Sequence, residues 1–408
     1  MKRLLIVLLT CGMLVADAVS WPARADDTKV PSRSTDAPNA AVIYWQAFSA
    51  IPTLNAEQKQ KYEAATKAPT APLDDELEPI IAMFSLPLHE IHRARSVAPC
   101  DWQLDYDAGP HLWLSHLQKA RDLSRAGLLR ARLRFADDET DAAISDVLDV
   151  LKMARDCGSS PTLISYLVGV AIESNAQTVL AAELPRLKAE QLDQLAMDLK
   201  KLPPSATLAE GIRFEDQMFG GWLERRFEAV AKEIDDPQAG FEVLTVLQKE
   251  LGADFASQPK PDDADAVRAA AQLKAVTVTE VRSWIEQLRR DYDEIAKMSL
   301  LAPADRQKRW AEFEAELTST KKSSDAKSMS RHLSALFLPA VGKAFERAAQ
   351  HQLRRELMSL VVQVQRHGPE ALKSVTHIEV EHHKTATGFE LRVACLDKTE
   401  VLAVGIAK

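Results

Sequence analysis

Residues Thr162–Leu184 set the tightest limit on what this chain can fold into. The run carries Leu163, Ile164, Leu167, Val168, Val170, Ala171, Ile172, Val179 and Leu180, and no Lys or Arg. A helix that is apolar nearly all round has no face to offer water, so other helices must enclose it. Ser160-Pro161 supplies a cap and a first-turn proline before it, and Pro185 stops it. The expected fold is therefore mainly α: antiparallel helical hairpins packed around this central helix.

Its neighbours in sequence fit that arrangement. Leu114, Leu117, Ala120, Leu128, Ala131 and Phe135 fall on one helical stripe, and Pro110 is expected to open that long helix. Ile144, Val147, Leu148, Leu151 and Ala154 make a second stripe, with Gly158 suited to the position after its end. Earlier, Ala40–Ile51 reads as a helix stopped by Pro52, and Asn55 caps another through Lys67. Asp74–Val97 is helical with a break expected at Pro87. Later, Leu192, Leu195, Leu199 and Leu202 form a narrower stripe. Thr207-x-x-Glu210 is a capping box opening a helix through Phe214, Phe219, Trp222 and Phe227, with Gly220-Gly221 as a weak point. Helices also follow over about Gln238–Leu251, through the Val281, Trp284, Leu288, Tyr292 and Ile295 seam, over Pro303–Leu317 and over Val341–Arg366. The period then changes. His377–His383 and Leu391–Leu396 alternate, Gly388 marks a turn and Val401–Ile406 is apolar, which predicts a small antiparallel β unit at the C-terminus.

With 408 residues, 46% of them hydrophobic, the chain has material for a sizeable core. The expected division is a leader over 1–25, a flexible lead-in over 26–38 and a helical core domain over 39–251. A Pro- and Asp-bearing linker over 252–264, a second helical segment over 265–372 and the β unit over 373–408 complete it. Lys321–Ser328 is a further polar linker.

Lys2-Arg3, the apolar run Leu4–Ala16 and Ala23-Arg24-Ala25 together read as a signal peptide cut before Asp26. The expected location is therefore periplasmic or extracellular, the alternative being a lipoprotein anchored through Cys11. No later stretch reads as a membrane span. Cleavage at Ala25 removes three positive charges (Lys2, Arg3, Arg24) and one negative (Asp17), taking the formal charge from -8 to -10. That balance argues against nucleic acid or anionic lipid as the main partner. Envelope proteins are the partners that export makes available. Export also permits disulfides. Cys100 and Cys157 are a possible pair, since an antiparallel hairpin returns Cys157 toward the end where Cys100 sits, and Cys395 is left over.

Rare residues crowd Cys100–His116: Cys100-Asp101-Trp102, Asp105-Tyr106-Asp107, Gly109-Pro110-His111, Trp113 and His116. Trp102, Asp105, Asp107, His111 and, further along, Arg121 are the candidate binding residues. Asp101, Asp105, Asp107, His111 and His116 could also assemble an irregular metal or acid/base site, because carboxylates and imidazoles serve both. The plainer alternative is that the aspartates cap a helix start and the tryptophans pack the loop. Named catalytic patterns fail. His89-Glu90-Ile91-His92 is one residue short of the zinc-protease spacing. Asp105-x-Asp107-x-Gly109 has His116, not glutamate, at the twelfth calcium-loop position. No phosphate loop or serine elbow occurs, and no cofactor or metal is expected. Lys119, Arg121, Arg125, Arg130, Arg132 and Arg134 make either an anion-binding face or a solvated face with local ion pairs. His377, Glu379, Glu381 and His383 share one strand face, as ion ligands or as a polar edge.

Cys100-Asp101-Trp102, Asp105-Tyr106, Gly109-Pro110-His111-Leu112, His116-Leu117, Arg121, Arg130-Ala131-Arg132, Ala143, Leu151, Ala154-Arg155 and Pro161-Thr162-Leu163-Ile164 resemble an uncharacterised family of exported bacterial helical proteins. The resemblance covers roughly Cys100–Leu184. It implies export and a helical fold and brings no catalytic residue with it. A second likeness, to tetratricopeptide hairpins at Ala143, lacks the glycine and aromatic of that motif, where Asp138 and Val147 stand instead; one hairpin makes no repeat array. The function expected from the sequence is a non-enzymatic helical binding or scaffold module of the cell envelope. The alternative is a metal-assisted hydrolase using the Asp101–His116 cluster.

Overall fold

The structure is a computed structural model that describes residues 38–252, 271, 273–320, 331–338, 341–375, 378–395 and 398–405. The expected leader, nearly all of the lead-in and of the 252–264 linker, the 321–328 linker, Cys11, His377 and Ile406 lie outside these residues. The fold is mainly α with a small C-terminal antiparallel sheet, as the periodicity requires.

Helices α1 (Ala40–Ser49), α2 (Ala56–Lys67), α3 (Leu77–Ala82) and α4 (Ser85–Ala94) come first. Asn55 and Gln58 close a capping box on α2. The break between α3 and α4 falls at Met83-Phe84, so Pro79 and Pro87 each sit in the first turn of their own helix, where a missing N–H costs little. Pro110 does not open the long helix. A 3-10 turn spans Tyr106–His111, with Gly109 at φ 56°, and α5 starts only at Ser115 (Ser115–Ala136). α6 (Thr140–Gly158) and α7 (Leu163–Glu183) follow, and Gly158 is the last residue inside α6 rather than the first beyond it. α5, α6 and α7 pack as successive antiparallel hairpins. α6 and α7 cross so closely that a Cβ on Gly169 would lie 2.7 Å from the Ala154 carbonyl oxygen.

α8 (Ala189–Lys201) precedes Pro203-Pro204. Then come α9 (Leu208–Glu215), a π-helical turn (Asp216–Gly220), α10 (Gly221–Ile234) and α11 (Gly240–Leu251). α12 (Val278–Met298), α13 (Pro303–Thr320), α14 (His332–Phe337) and α15 (Val341–His367) follow. β1 (Glu381–Lys384), β2 (Phe389–Cys395) and β3 (Lys398–Val404) form an antiparallel meander, with Leu391 opposite Leu402. Alternation sends Phe389, Leu391, Val393, Leu402 and Val404 to the inner face, which packs on α7 and α15.

The buried side chains form two cores. The first gathers α1 to α8, the second half of α15 and the sheet. The second gathers α9 to α14 and the first half of α15, with Tyr166 and Val170 from the start of α7. The cores part near Pro203-Pro204, and α7 and α15 run through both. At their crossing Glu173, 3% exposed, meets Arg155 at 3.3 Å, His351 at 3.3 Å and Arg355 at 3.6 Å. Burial opposes its charge, yet these three partners hold its carboxyl below the ordinary range. Arg155 also donates to the Pro203 carbonyl at 2.6 Å, pinning the connection between the cores.

By length and composition Leu163–Arg186 does reach what a bilayer span needs, with a mean hydropathy of 1.2, which corrects the expectation that no stretch after the leader would. Here that helix is enclosed by α5, α6 and α15, as a helix apolar all round should be.

The arginines of α5 depart from a simple solvated face. Arg132, 7% exposed, donates to the carbonyls of Ala65 and Ala71 and holds the turn after α2. Arg130 and Arg134 reach across the hairpin to Asp146 on α6, at 2.6 and 2.8 Å, and its side chain is 2% exposed. Only Arg125, paired with Asp122 at 3.3 Å, keeps the local surface geometry.

Candidate functional site

The candidate residues of the Cys100–His116 stretch point in different directions. Asn39 clamps the loop to the start of α1: its amide donates to the Asp101 carbonyl at 2.8 Å, and the Asp101 N–H donates back at 2.9 Å. Trp102 therefore drops into the first core, where its ring stacks on Tyr44, Phe48 and His116 with centroids 5.6, 6.1 and 4.4 Å away. Its Nε1 donates to the Asp156 carbonyl at 3.0 Å. His116 is fully buried, and burial pushes its pKa down to about 4. Asp105 and Asp107 are exposed. Arg121 is half-buried on α5. The Asp101–His116 set thus does not converge on one point, and among the described residues no group of three or more His, Cys, Asp or Glu is placed to hold a metal. Asp101 instead accepts from the Gln103 N–H, a local turn contact. Of the other histidines, His92 pairs with Asp149 at 2.9 Å and His383 with Glu381 at 3.0 Å, while His89 is exposed.

Cys100 and Cys157 are both free thiols, so the possible Cys100–Cys157 bond is not formed in this structure. The segment carrying Cys100 is nonetheless tied to the end of α6 on both sides: Lys152 donates to the Val97 carbonyl, and Trp102 to that of Asp156. Burial holds the Cys100 and Cys157 thiols well above their ordinary pKa, which leaves little thiolate to react.

Asp107 and His111 come together with residues from far along the chain. The 3-10 turn Tyr106–His111 lies against α9, the π turn and α10. Tyr106 meets Phe214 edge-on at 4.8 Å, and His111 meets Trp222 edge-on at 5.8 Å. The π turn makes both contacts available to one segment. Phe214 and Trp222 are eight residues apart, and a regular α-helix would turn roughly 800° between them, leaving Trp222 about 80° off the Phe214 face. A π turn takes up one extra residue, so the rotation falls to roughly 700°, within about 20° of two full turns. Gly109 completes the fit. A Cβ there would lie 2.4 Å from the Trp222 ring, and its positive φ favours glycine anyway.

Between this turn and α10 runs an open groove of about 490 Å3 lined by Asp107, Trp222, Arg225, Arg226 and Ala229. Arg226 is committed to Glu250, donating through Nε at 2.7 Å and Nη2 at 2.5 Å. That pairing holds the Glu250 carboxyl below its ordinary range, with a smaller contribution from His111. Arg225 lies 3.9 Å from Asp107. Where α9 meets the π turn, Glu215 receives the Leu163 N–H at the start of α7, and burial pushes its pKa up to about 7. The groove offers a half-buried indole, a guanidinium and a carboxylate, which are recognition groups, and the His111 imidazole braces the indole from its edge.

Trp222, Arg225 and Arg226 are absent from the sequence-derived set. Their trace in sequence is indirect: Gly220-Gly221 marks a disturbance in an otherwise regular helix, and Trp222 sits beside the Leu223, Phe227 and Val230 stripe rather than on it. Comparison of the chain with family models, with curated proteins and with solved structures finds no match.

Proposed function

We propose that this chain is an exported, non-enzymatic helical module of the cell envelope that binds a ligand or partner in the groove between Tyr106–His111 and α10. One observation carries the reading: Asp107, singled out in the sequence, lines one open groove with Trp222, Arg225 and Arg226, and His111, also singled out, packs edge-on against that Trp222. Its volume lies inside the roughly 300–1,000 Å3 range of small-molecule sites. The aspartates and histidines that a metal-assisted hydrolase would need are distributed between core, surface and groove. The groove's charged groups include no nucleophile held by a base.

The test is capture from the native envelope with tagged parent protein and with Trp222→Ala, Arg225→Ala and Arg392→Ala variants. Loss of the same captured species with the two groove variants, and its retention with the sheet variant, supports the reading. Equal capture by all four overturns it. Mass spectrometry of the purified chain tests export: a first residue of Asp26 agrees with it, and a lipidated Cys11 replaces free export with anchoring.

A further inference from the structure

The arginines on and against α10 differ in what occupies them. Arg226 is closed on Glu250. Arg282 is closed on Glu228 by two bonds of 2.7 and 3.0 Å. Arg289 is held by Asp216 at 3.2 Å and by Glu224. Among the described residues Arg225 has only Asp107, at 3.9 Å, beyond hydrogen-bond reach. Both side chains of that pair stand in water, at 59% and 99% exposure, so it contributes little and opens readily. The Arg225 fork is therefore open to a planar two-oxygen acceptor.

Trp222 lies three residues before Arg225 and Ala229 four after it, so all three project from one side of α10 into the groove. The indole is held from behind by Gly109 and from the side by His111. A ring fixed in this way is a platform already in place, so little ordering is needed when a ligand arrives. Asp107 and Glu250 stand close by, so the site suits a single negative charge better than a dianion.

We infer that the groove takes a small ligand bearing one carboxylate on a flat aromatic body. The carboxylate forks onto Arg225 and displaces Asp107, and the ring lies along Trp222 toward Ala229. This rests on the binding reading of the groove given above and adds the ligand's chemical class. Asp107 is then an internal competitor for Arg225. Its removal strengthens binding, the opposite of what loss of an ordinary contact residue does.

Phenylacetate and its uncharged amide, phenylacetamide, are the probes, titrated against the full folded chain. The readout is the indole N–H resonance of Trp222, assigned with Trp222→Phe. Phenylacetate shifts that resonance, and the amide binds about tenfold more weakly. Arg225→Gln weakens the acid by about tenfold and leaves the amide unchanged, and Asp107→Asn tightens the acid by roughly threefold. Equal affinity for acid and amide overturns the carboxylate class, as does an Arg225→Gln variant of parental affinity or the absence of any shift at millimolar phenylacetate. The binding reading itself stands or falls on the capture experiment, which uses no small ligand, so the two failures are distinct. Circular dichroism of each variant confirms that the helices are retained.

Discussion

Below neutral pH, His116 should cost this protein stability in a calculable way. Its ring is fully buried between Trp102 and Trp45, and among the described residues neither ring nitrogen meets a hydrogen-bonding partner. Burial lowers its pKa from 6.5 to about 4 in the folded state. The unfolded chain regains the ordinary value, so between these limits it binds more protons than the folded one. Stability therefore rises with pH through that window. The His116 contribution is complete above pH 6.5 and is lost progressively as pH falls toward 4. Two and a half pKa units correspond to about 3 kcal/mol, a substantial part of a typical domain's stability.

Other groups act in the opposite sense. Burial raises Asp149 to about 6 and Glu215 to about 7, so ionising them on the way up in pH costs stability. The His116 effect must be read as a difference between parent and His116→Phe. Phenylalanine keeps a ring against Trp102 but is larger, and overpacking adds a cost of about 1–3 kcal/mol that does not vary with pH. Urea unfolding followed by tryptophan fluorescence from pH 4.5 to 7.5 gives both stabilities. The parent should lose about 2–3 kcal/mol relative to the variant as the pH drops across that range. A difference that stays flat with pH would refute the assignment of His116 as a buried neutral base.

Three further outcomes follow from the packing. Asp146→Ala leaves Arg130 and Arg134 without their buried partner and should cost about 3 kcal/mol in urea unfolding, whereas Asp122→Ala, which removes the exposed Arg125 pair, should cost under about 1 kcal/mol. Gly109→Ala puts a methyl into the Trp222 ring at a positive φ. Destabilisation of about 2 kcal/mol and a changed near-ultraviolet circular dichroism signal are expected, and parental values for both would contradict the contact. Cys157, fully buried with its thiol pKa raised by burial, should resist alkylation in the native protein and react once denatured; rapid native labelling, read by peptide mass spectrometry, would exclude that burial.

Local periodicity made the helices legible, and pairing across the fold made the site hard to see. Leu117, Ala120, Leu128, Ala131 and Phe135 are buried because their spacing puts them on one side of α5, and that spacing is visible in the residues alone. The β unit was legible for the same reason, since Phe389, Leu391 and Val393 alternate with polar neighbours. Pro110 misled because it is an equally good residue inside a short turn, and the real helix waits for Ser115. That delay decides that His116 turns inward while Trp113, just ahead of the helix, stays 64% exposed. Arg130 and Arg134 look like surface charge because their partner, Asp146, lies across a hairpin whose register the sequence does not state. Asp107 and His111 were recognisable as unusual, but Trp222 and Arg225 were not recognisable as their companions. That match depends on one extra residue absorbed in the π turn, for which periodicity shows only a glycine pair.

The passage of α15 through both cores also bears on how the chain comes to be made. The first core is assembled from α1 to α8 but is closed by Leu357, Val361 and Val364 of α15 and by the sheet beyond it. Until that last stretch has been synthesised, the sides of α7 and α8 that face α15 have nothing to cover them. Nor can the second core finish early, since Val341, Ala344 and Phe345 belong to it. Neither half has a complete hydrophobic interior of its own, so a nascent chain cannot bank stability domain by domain. Closing both cores must wait for α15 and the sheet, and the finished molecule should melt in one cooperative step.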